Sequence, residues 1–279
     1  MGYLFAVTLL WAFSFSLIGV YLAGHVDAWF SVLIRVALAT LVFLPFIKRL
    51  PPATAIRLML IGAVQLGVMY SFYYHSFLFL SVPEVLLFTV MTPLYITLLN
   101  DTLNKQFNPQ FFIVALIAVL GAVAIRYENL DNDFWLGLLL VQGANLSFAT
   151  GQVTYKRLIQ GKQLDDKAAF SWFFIGALIV AGLCYALFGN SSKLPSTNTQ
   201  WGILIYLGIV ASGLGYFLWN KGATLVNVGA LAVMNNLLIP AGIIVNIVIW
   251  NRDADIFRLS IGAAIMLLAL VVNQIMTKK

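Results

Sequence analysis

The sequence predicts an all-α integral membrane protein with ten transmembrane helices that form two inverted five-helix repeats. Of its 279 residues, 62% are hydrophobic and only 9% are charged, whereas about a quarter of the residues in a soluble domain are charged. One membrane-spanning helix needs about 20 mostly apolar residues. Ten such helices account for most of the chain and leave short connections, so the composition excludes a water-soluble fold.

Apolar runs, separated by charges, prolines and clusters of Gly, Asn or Asp, predict where these helices lie. The predicted spans are 2–23, 29–47, 55–79, 84–100, 110–126, 133–155, 168–189, 200–220, 228–250 and 257–276. Strands of an outer-membrane barrel would instead show segments of about ten residues with alternating polarity. The runs at 111–125 and 261–272 are continuously apolar, which favours helices.

Lysine and arginine residues predict the orientation of the helices. With both termini on one side, that side receives Lys48, Arg49, Arg57, Lys105, Lys156, Arg157, Lys162, Lys167, Lys278 and Lys279. The opposite side receives Arg126, Lys193, Arg252 and Arg258. Because cytoplasmic loops are enriched in Lys and Arg, we expect both termini in the cytoplasm and the bacterial inner membrane as the location. The net charge of +6 then reflects sidedness, and no nucleic acid is expected as a partner.

The segment 126–133 separates the ten spans into two groups of five. Because five is odd, a duplicated second half must enter the membrane with inverted orientation, as in many secondary transporters. Residues 67–70 read Gly-Val-Met-Tyr and residues 213–216 read Gly-Leu-Gly-Tyr, which is an offset of 146. We therefore divide the chain into a first repeat at 1–130 and a second repeat at 131–279.

Several residues of the first repeat resemble the EamA-type branch of the drug/metabolite transporter superfamily. They are Trp11, Ser14 and Phe15 in the first span, Arg35 early in the second and Pro93 in the fourth. The resemblance covers the whole chain, although the second repeat has no tryptophan that matches Trp11. It implies a secondary carrier with a cavity between the halves, lined mainly by helices one, three, four, six, eight and nine. Members move amino acids, amines, nucleosides, sugars and other small metabolites, often outward.

Polar and aromatic residues inside the spans are the candidates for substrate binding. A charged side chain in hydrocarbon is costly, so Arg35 either ties helix ends together or binds a substrate anion. Amides in hydrocarbon need partners, which a wet cavity or another helix can supply, and aromatic spacing also fits simple packing. The candidates are Trp11, Ser14, Arg35, Tyr70, Tyr74, Gln142, Asn145, Tyr216, Asn220 and Asn235.

The span at 133–155 carries two different faces. Gly143, Ser147 and Gly151 recur every four residues, a small face that predicts close packing of another helix. A different face carries Gln142, Asn145, Ala149 and Gln152, which follow a three-four-three spacing. It either faces the cavity or forms interhelical hydrogen bonds.

Three residues near the ends of spans are candidates for a gate or a proton relay. His75 and Lys221 match in the repeat alignment, one near each mouth, where they are either gate residues or ordinary interfacial residues. Glu84 follows Pro83 at a helix start, where an acidic residue favours the helix dipole. A His75 and Glu84 proton relay is the alternative. Because both lie near one end, we expect downhill transport without obligatory proton movement.

The predicted function is a secondary transporter of small metabolites such as amino acids or related carboxylates, acting by alternating access and expected to export. The absence of a buried carboxylate argues against a dedicated polyamine exporter. A passive channel or a non-transporting subunit is the alternative. An enzyme is disfavoured because the only histidines are His25 and His75 and no HExxH or GxSxG pattern occurs. We expect no cofactor or metal; the expected partners are a small-molecule substrate and the lipid bilayer, and the chain is expected to act as a monomer.

Overall fold

The computed structural model describes residues 2–105, 117, 120, 132–160, 164–226, 228–250 and 256–277. In these ranges we number the long helices α1 (Gly2–Leu22), α2 (Ala28–Phe46), α3 (Pro52–Ser76), α4 (Val82–Leu103), α5 (Asn132–Ile159), α6 (Asp166–Phe188), α7 (Asn198–Thr224), α8 (Val228–Trp250) and α9 (Ile256–Thr277). The predicted span at 110–126 lies outside the described residues, apart from 117 and 120.

The described part of the chain is helical and contains no strand. Seven helices there, α1 to α7, are long and apolar enough to cross a membrane. Large apolar side chains such as Leu139, Leu187 and Val248 point out of the bundle, where lipid rather than water is the favourable solvent. These features confirm an integral membrane protein built from helices.

Short polar side chains fix the points at which several helices begin. Asp27 accepts a backbone hydrogen bond at the start of α2, and Ser81 with Glu84 forms a capping box at the start of α4. Asp165 caps α6 and also accepts a hydrogen bond from Lys48, which holds the pKa of that carboxyl below its usual range. Each cap satisfies backbone N–H groups that the first turn of a helix leaves without partners.

Glycines set the closest helix contacts. A Cβ at Gly62 of α3 would overlap the backbone of α6, and a Cβ at Gly176 of α6 would overlap the backbone of α3. On α5, a Cβ at Gly151 would overlap the side chain of Gln65, and one at Gly143 would lie 3.1 Å from a ring carbon of Phe72. The predicted small face of α5 is confirmed, and it packs on α3.

Three helices contain π-helical segments, in which the backbone is wound more loosely than in an α-helix. They lie at Ile18–Leu22 in α1, Ala63–Val68 in α3 and Tyr206–Leu214 in α7. Tyr70 and Tyr216 follow the second and third segments within two residues. Segments of this kind occur frequently at functional sites.

Candidate substrate-binding cavity

A cavity of about 90 Å³ lies between the helices. Side chains of α1, α3, α4, α5, α7 and α8 line it, and α2 contributes Arg35. The family resemblance implies a cavity lined by helices one, three, four, six, eight and nine. Because the predicted fifth span lies outside the described residues, these correspond to α1, α3, α4, α5, α7 and α8. The cavity therefore lies where the predicted halves of the chain meet.

Most of the predicted substrate-binding residues surround this one cavity. Seven of the ten line it: Trp11, Ser14, Arg35, Tyr70, Asn145, Tyr216 and Asn235. They come from six helices and are up to 224 positions apart in the chain. Their role in binding stays a prediction.

Arg35 is the one charged residue among the described residues that line the cavity, and it is only 3% exposed. Its Nε donates to Ser212 Oγ at 2.5 Å and to the Leu207 carbonyl at 3.2 Å. Its Nη1 donates to the Tyr74 hydroxyl at 3.3 Å. The guanidinium carbon lies 4.1 Å from the centre of the Tyr70 ring, within the range of a cation–π interaction. The side chain is held rigidly in place.

The positive charge of Arg35 has no carboxylate partner among the described residues. The ion pairs Lys48–Asp165 and Lys221–Asp166 do not include Arg35, and no Asp or Glu is among the described residues that line the cavity. Its hydrogen bonds end on neutral oxygens and leave Nη2 without a described acceptor. A buried charge is costly unless it is paired. The cavity is therefore electrostatically suited to an anion.

Aromatic rings form one wall of the cavity. The ring centres of Trp11 and Tyr216 are 5.0 Å apart, and those of Trp11 and Phe148 are 6.2 Å apart. Trp11 Nε1 donates to the Ala211 carbonyl at 2.8 Å, which fixes the indole between α1 and α7. This wall offers a flat apolar surface to a ring system of a ligand.

Amide and hydroxyl groups form another part of the lining. Asn145 Nδ2 donates to the Phe88 carbonyl at 3.0 Å, and Asn145 Oδ1 accepts from Thr92 Oγ1 at 3.2 Å. Asn235 Nδ2 donates to the Leu231 carbonyl at 3.0 Å, whereas its Oδ1 has no described donor. Asn145 thus lines the cavity and also ties α5 to α4, so both interpretations of this amide hold.

Three predicted residues do not line this cavity. Tyr74 supports Arg35 through its hydroxyl group. Gln142 accepts from Asn145 at 3.1 Å. Asn220 forms a reciprocal pair with Gln65, with hydrogen bonds of 3.1 and 3.3 Å. Spacing along a helix could not separate these supporting residues from those that reach the cavity.

The three candidates for a gate or relay lie at helix ends. His75 contacts Trp29, with ring centres 4.3 Å apart and ring planes tilted by 48°. Trp29 also contacts Phe188, the last residue of α6. Lys221 pairs with Asp166 at 3.2 Å, at the first residue of α6. His75 and Lys221 therefore lie near opposite ends of α6. Their gate role and the proton relay remain predictions.

Glu84 has a local structural role. One of its carboxylate oxygens accepts hydrogen bonds from the backbone N–H and the hydroxyl of Ser81, both at 2.7 Å. This completes the capping box at the start of α4. The cap interpretation of Glu84 is therefore confirmed.

Sequence reasoning did not assign several lining residues to the site. They are Phe15, Ile18, Met69, Tyr73, Thr89, Thr92, Ala144, Phe148 and Leu238. Thr89 and Thr92 had a usable signal, since they are hydroxyl residues within an apolar run next to Pro93. Phe148 had none, because one phenylalanine among 21 gives no indication that it will meet Trp11.

Comparison with known proteins identifies the family. The model of the EamA-like transporter family matches residues 1–127 and 135–274. The chain belongs to the EamA-like transporter family. This assignment agrees with the drug/metabolite transporter resemblance and with a protein that transports small molecules across a membrane. One solved crystal structure, 18% identical, shares this family member's fold with a TM-score of 0.69, covering 97% of this chain and 95% of that chain.

Close relatives of this family member are named as biotin transporters. The biotin transporter of Salmonella typhimurium strain LT2 is 51% identical, and that of Escherichia coli K12 is 50% identical, each over 98% of this chain and 93% of the relative. A probable biotin transporter of Pseudomonas aeruginosa is 50% identical over 99% of this chain and 98% of the relative. These names do not support the expected amino acid substrate.

Proposed function

We propose that the chain is a secondary carrier for biotin, which it moves by alternating access through the cavity around Arg35. One observation carries the proposal: a buried guanidinium that has no carboxylate partner among the described residues faces an aromatic cavity. Biotin supplies the missing anion through its valerate carboxylate. The names of the three relatives point to the same molecule.

The chemistry of the cavity walls matches the parts of biotin. Guanidinium and carboxylate form strong charge-assisted hydrogen bonds, so Arg35 would hold the carboxylate. The ureido ring carries two N–H donors and one carbonyl. Asn145 Oδ1 and Asn235 Oδ1 offer acceptors for the N–H groups, and the second N–H of Asn235 Nδ2 offers a donor for the carbonyl. The sulfur-containing ring is apolar and would pack against Trp11 and Phe148.

Biotin binding requires the cavity to widen. Its volume of about 90 Å³ is below the range of about 300–1,000 Å³ that encloses most small ligands. Alternating access supplies such a change, because one half of the chain moves against the other. The loosely wound segments Ala63–Val68 and Tyr206–Leu214 adjoin the cavity in both halves and are suited to that movement.

The proposed architecture is ten helices in two inverted repeats, with both termini in the cytoplasm. Support comes from the Lys and Arg distribution and from the two family-model matches, which lie on either side of 128–134. To test orientation, Asn132→Cys is introduced together with Cys184→Ala, which removes the only native thiol. An impermeant maleimide should label residue 132 from the outside. Labelling from the cytoplasmic side alone would contradict this topology.

The substrate assignment is tested by uptake of labelled biotin into proteoliposomes. We expect saturable uptake that unlabelled biotin inhibits and that a panel of amino acids leaves unchanged. Protein-free liposomes give the background rate. Uptake that rises linearly with biotin concentration would favour a channel, and inhibition by an amino acid without inhibition by biotin would contradict the substrate.

A further inference from the structure

A second cavity lies beside the central one and has a volume of about 540 Å³. Its wall includes Asn100 and Asn104 of α4 and Gln152, Lys156 and Arg157 of α5. We call this space the vestibule. Its volume lies within the range typical of small-molecule sites, so it is large enough to hold a ligand.

The vestibule continues the central cavity along the same three helices. On each helix, the last residue of the central cavity and the first residue of the vestibule are four positions apart. The pairs are Thr92 and Ile96 on α4, Phe148 and Gln152 on α5, and Asn235 and Leu231 on α8. Because four residues make about one helical turn of 5.4 Å, the two spaces are stacked along one path.

The vestibule carries two positive charges without a described carboxylate partner. Lys156 Nζ donates to the Val226 carbonyl at 3.1 Å. Arg157 Nη2 donates to Asn104 Oδ1 at 2.7 Å and to Asn100. These acceptors are neutral, and no Asp or Glu is among the described residues of the wall. The charges therefore attract an anion into this space.

Gln152 lies in the vestibule on the side of the central cavity. Its side chain is 2% exposed, and neither Nε2 nor Oε1 has a hydrogen-bond partner among the described residues. A buried amide without partners is costly. A ligand with both a donor and an acceptor would satisfy it once the side chain turns its amide toward the vestibule.

We propose that the vestibule is a second binding site on the transport path for the same substrate. It takes a carboxylate between Lys156 and Arg157 and an amide-like group, such as the ureido ring of biotin, at Gln152. This rests on the proposed biotin function. The substrate occupies the vestibule between the central cavity and the membrane face at which α5 ends.

A phospholipid headgroup is the other source of an anion for such a basic pocket. Lipid phosphate would satisfy Lys156 and Arg157. The phosphate itself offers no donor to the buried oxygen of Gln152, so a lipid would need a second group of its headgroup there, such as an ethanolamine ammonium or a glycerol hydroxyl. The ureido ring of biotin carries both donors and an acceptor in one group. Biotin therefore supplies partners for more of the polar groups in the vestibule wall than lipid phosphate does.

The test uses Gln160→Cys as a reporter, since residue 160 is exposed and lines the vestibule. Cys184→Ala removes the native thiol, and the rate of alkylation by a maleimide is measured in phosphatidylcholine vesicles. By mass action, biotin at about ten times the dissociation constant should slow alkylation about tenfold. The uncharged amide of biotin should not slow it.

Three further substitutions locate the bound anion. Protection should persist with Arg35→Met, which removes the charge of the central cavity, and should be lost with Lys156→Gln. Lys167→Gln is the matched control, because it removes a charge at the same end of the bundle, where Lys167 contacts Phe46 instead. Protection that disappears with Arg35→Met, or that the amide also gives, would overturn the proposal.

Two parallel measurements separate the other outcomes. Alkylation is repeated in vesicles that contain phosphatidylglycerol. Slow alkylation only there, with no effect of biotin in either lipid, would assign the site to lipid phosphate and overturn the proposal. Uptake of biotin by the wild-type protein is measured as well: uptake without protection contradicts the vestibule alone, whereas absence of uptake contradicts the proposed function.

Discussion

Replacing Arg35 separates its two interpretations, a structural tie and a substrate-binding group. Arg35→Met keeps a long unbranched side chain but removes the charge and the hydrogen bonds to Ser212, Leu207 and Tyr74. If the guanidinium binds the biotin carboxylate, the variant must accept a buried anion without its partner. The effect should then depend on the charge of the substrate.

The expected magnitude follows from the burial of Arg35, which is 3% exposed. A hydrogen bond to a charged group contributes about 1.5–3 kcal/mol. A loss of about 2–3 kcal/mol corresponds to an increase of about 30- to 150-fold in the KM for biotin. Arg35→Lys keeps the charge but loses the planar fork of donors, so its KM should lie between those of the wild type and Arg35→Met.

The assay compares uptake of biotin with uptake of its uncharged amide by the same proteoliposomes. Arg35→Met should raise the KM for the acid by about 30- to 150-fold. The KM for the amide should change about twofold at most, which is within the usual effect of a single substitution. Equal increases for both substrates would refute the carboxylate assignment. That result would leave Arg35 as a structural tie among α2, α3 and α7.

Three further predictions concern the surrounding groups. Asn145→Leu should lower both thermal stability and biotin uptake, because it removes the bonds to α4; unchanged values in both measurements would contradict its dual role. His75→Gln with Glu84→Gln should leave downhill exchange largely intact, since Gln can also complete a capping box; abolished exchange would favour the proton relay. Lys48→Met should lower the free energy of unfolding by at most about 1 kcal/mol, as for other exposed ion pairs. Because Lys48 lowers the pKa of Asp165, its contribution should be present near pH 7 and fall as pH drops through that lowered pKa; an unchanged contribution at acidic pH would contradict this.

Much of the fold could be predicted from apolar runs and their boundaries. The predicted span 29–47 corresponds to α2 at Ala28–Phe46, and the predicted span 228–250 has the bounds of α8. Both begin beside a polar or helix-breaking segment that composition reveals. The larger difference at α3, predicted from 55 and observed from Pro52, arises because Pro is well suited to the first turn of a helix.

The candidate site could be predicted from residue types that are rare in membrane spans. It could not be predicted from residue types that are common there. Arg35 is costly anywhere in hydrocarbon, so its presence alone indicates a special environment. Asn220 is also polar within a span, yet it pairs with Gln65, and nothing in the local pattern indicates that partner. The π-helical turn before Tyr216 depends on contacts between helices, which a single sequence does not contain.

The most direct test of the proposed carrier is counterflow of biotin. Proteoliposomes are loaded with unlabelled biotin and then diluted into a trace of labelled biotin. A carrier exchanges one molecule for another, so labelled biotin should accumulate transiently inside wild-type vesicles to a concentration above that outside. Arg35→Met should reduce this overshoot at the same protein content. Simple equilibration of the label without an overshoot in the wild type would contradict the account.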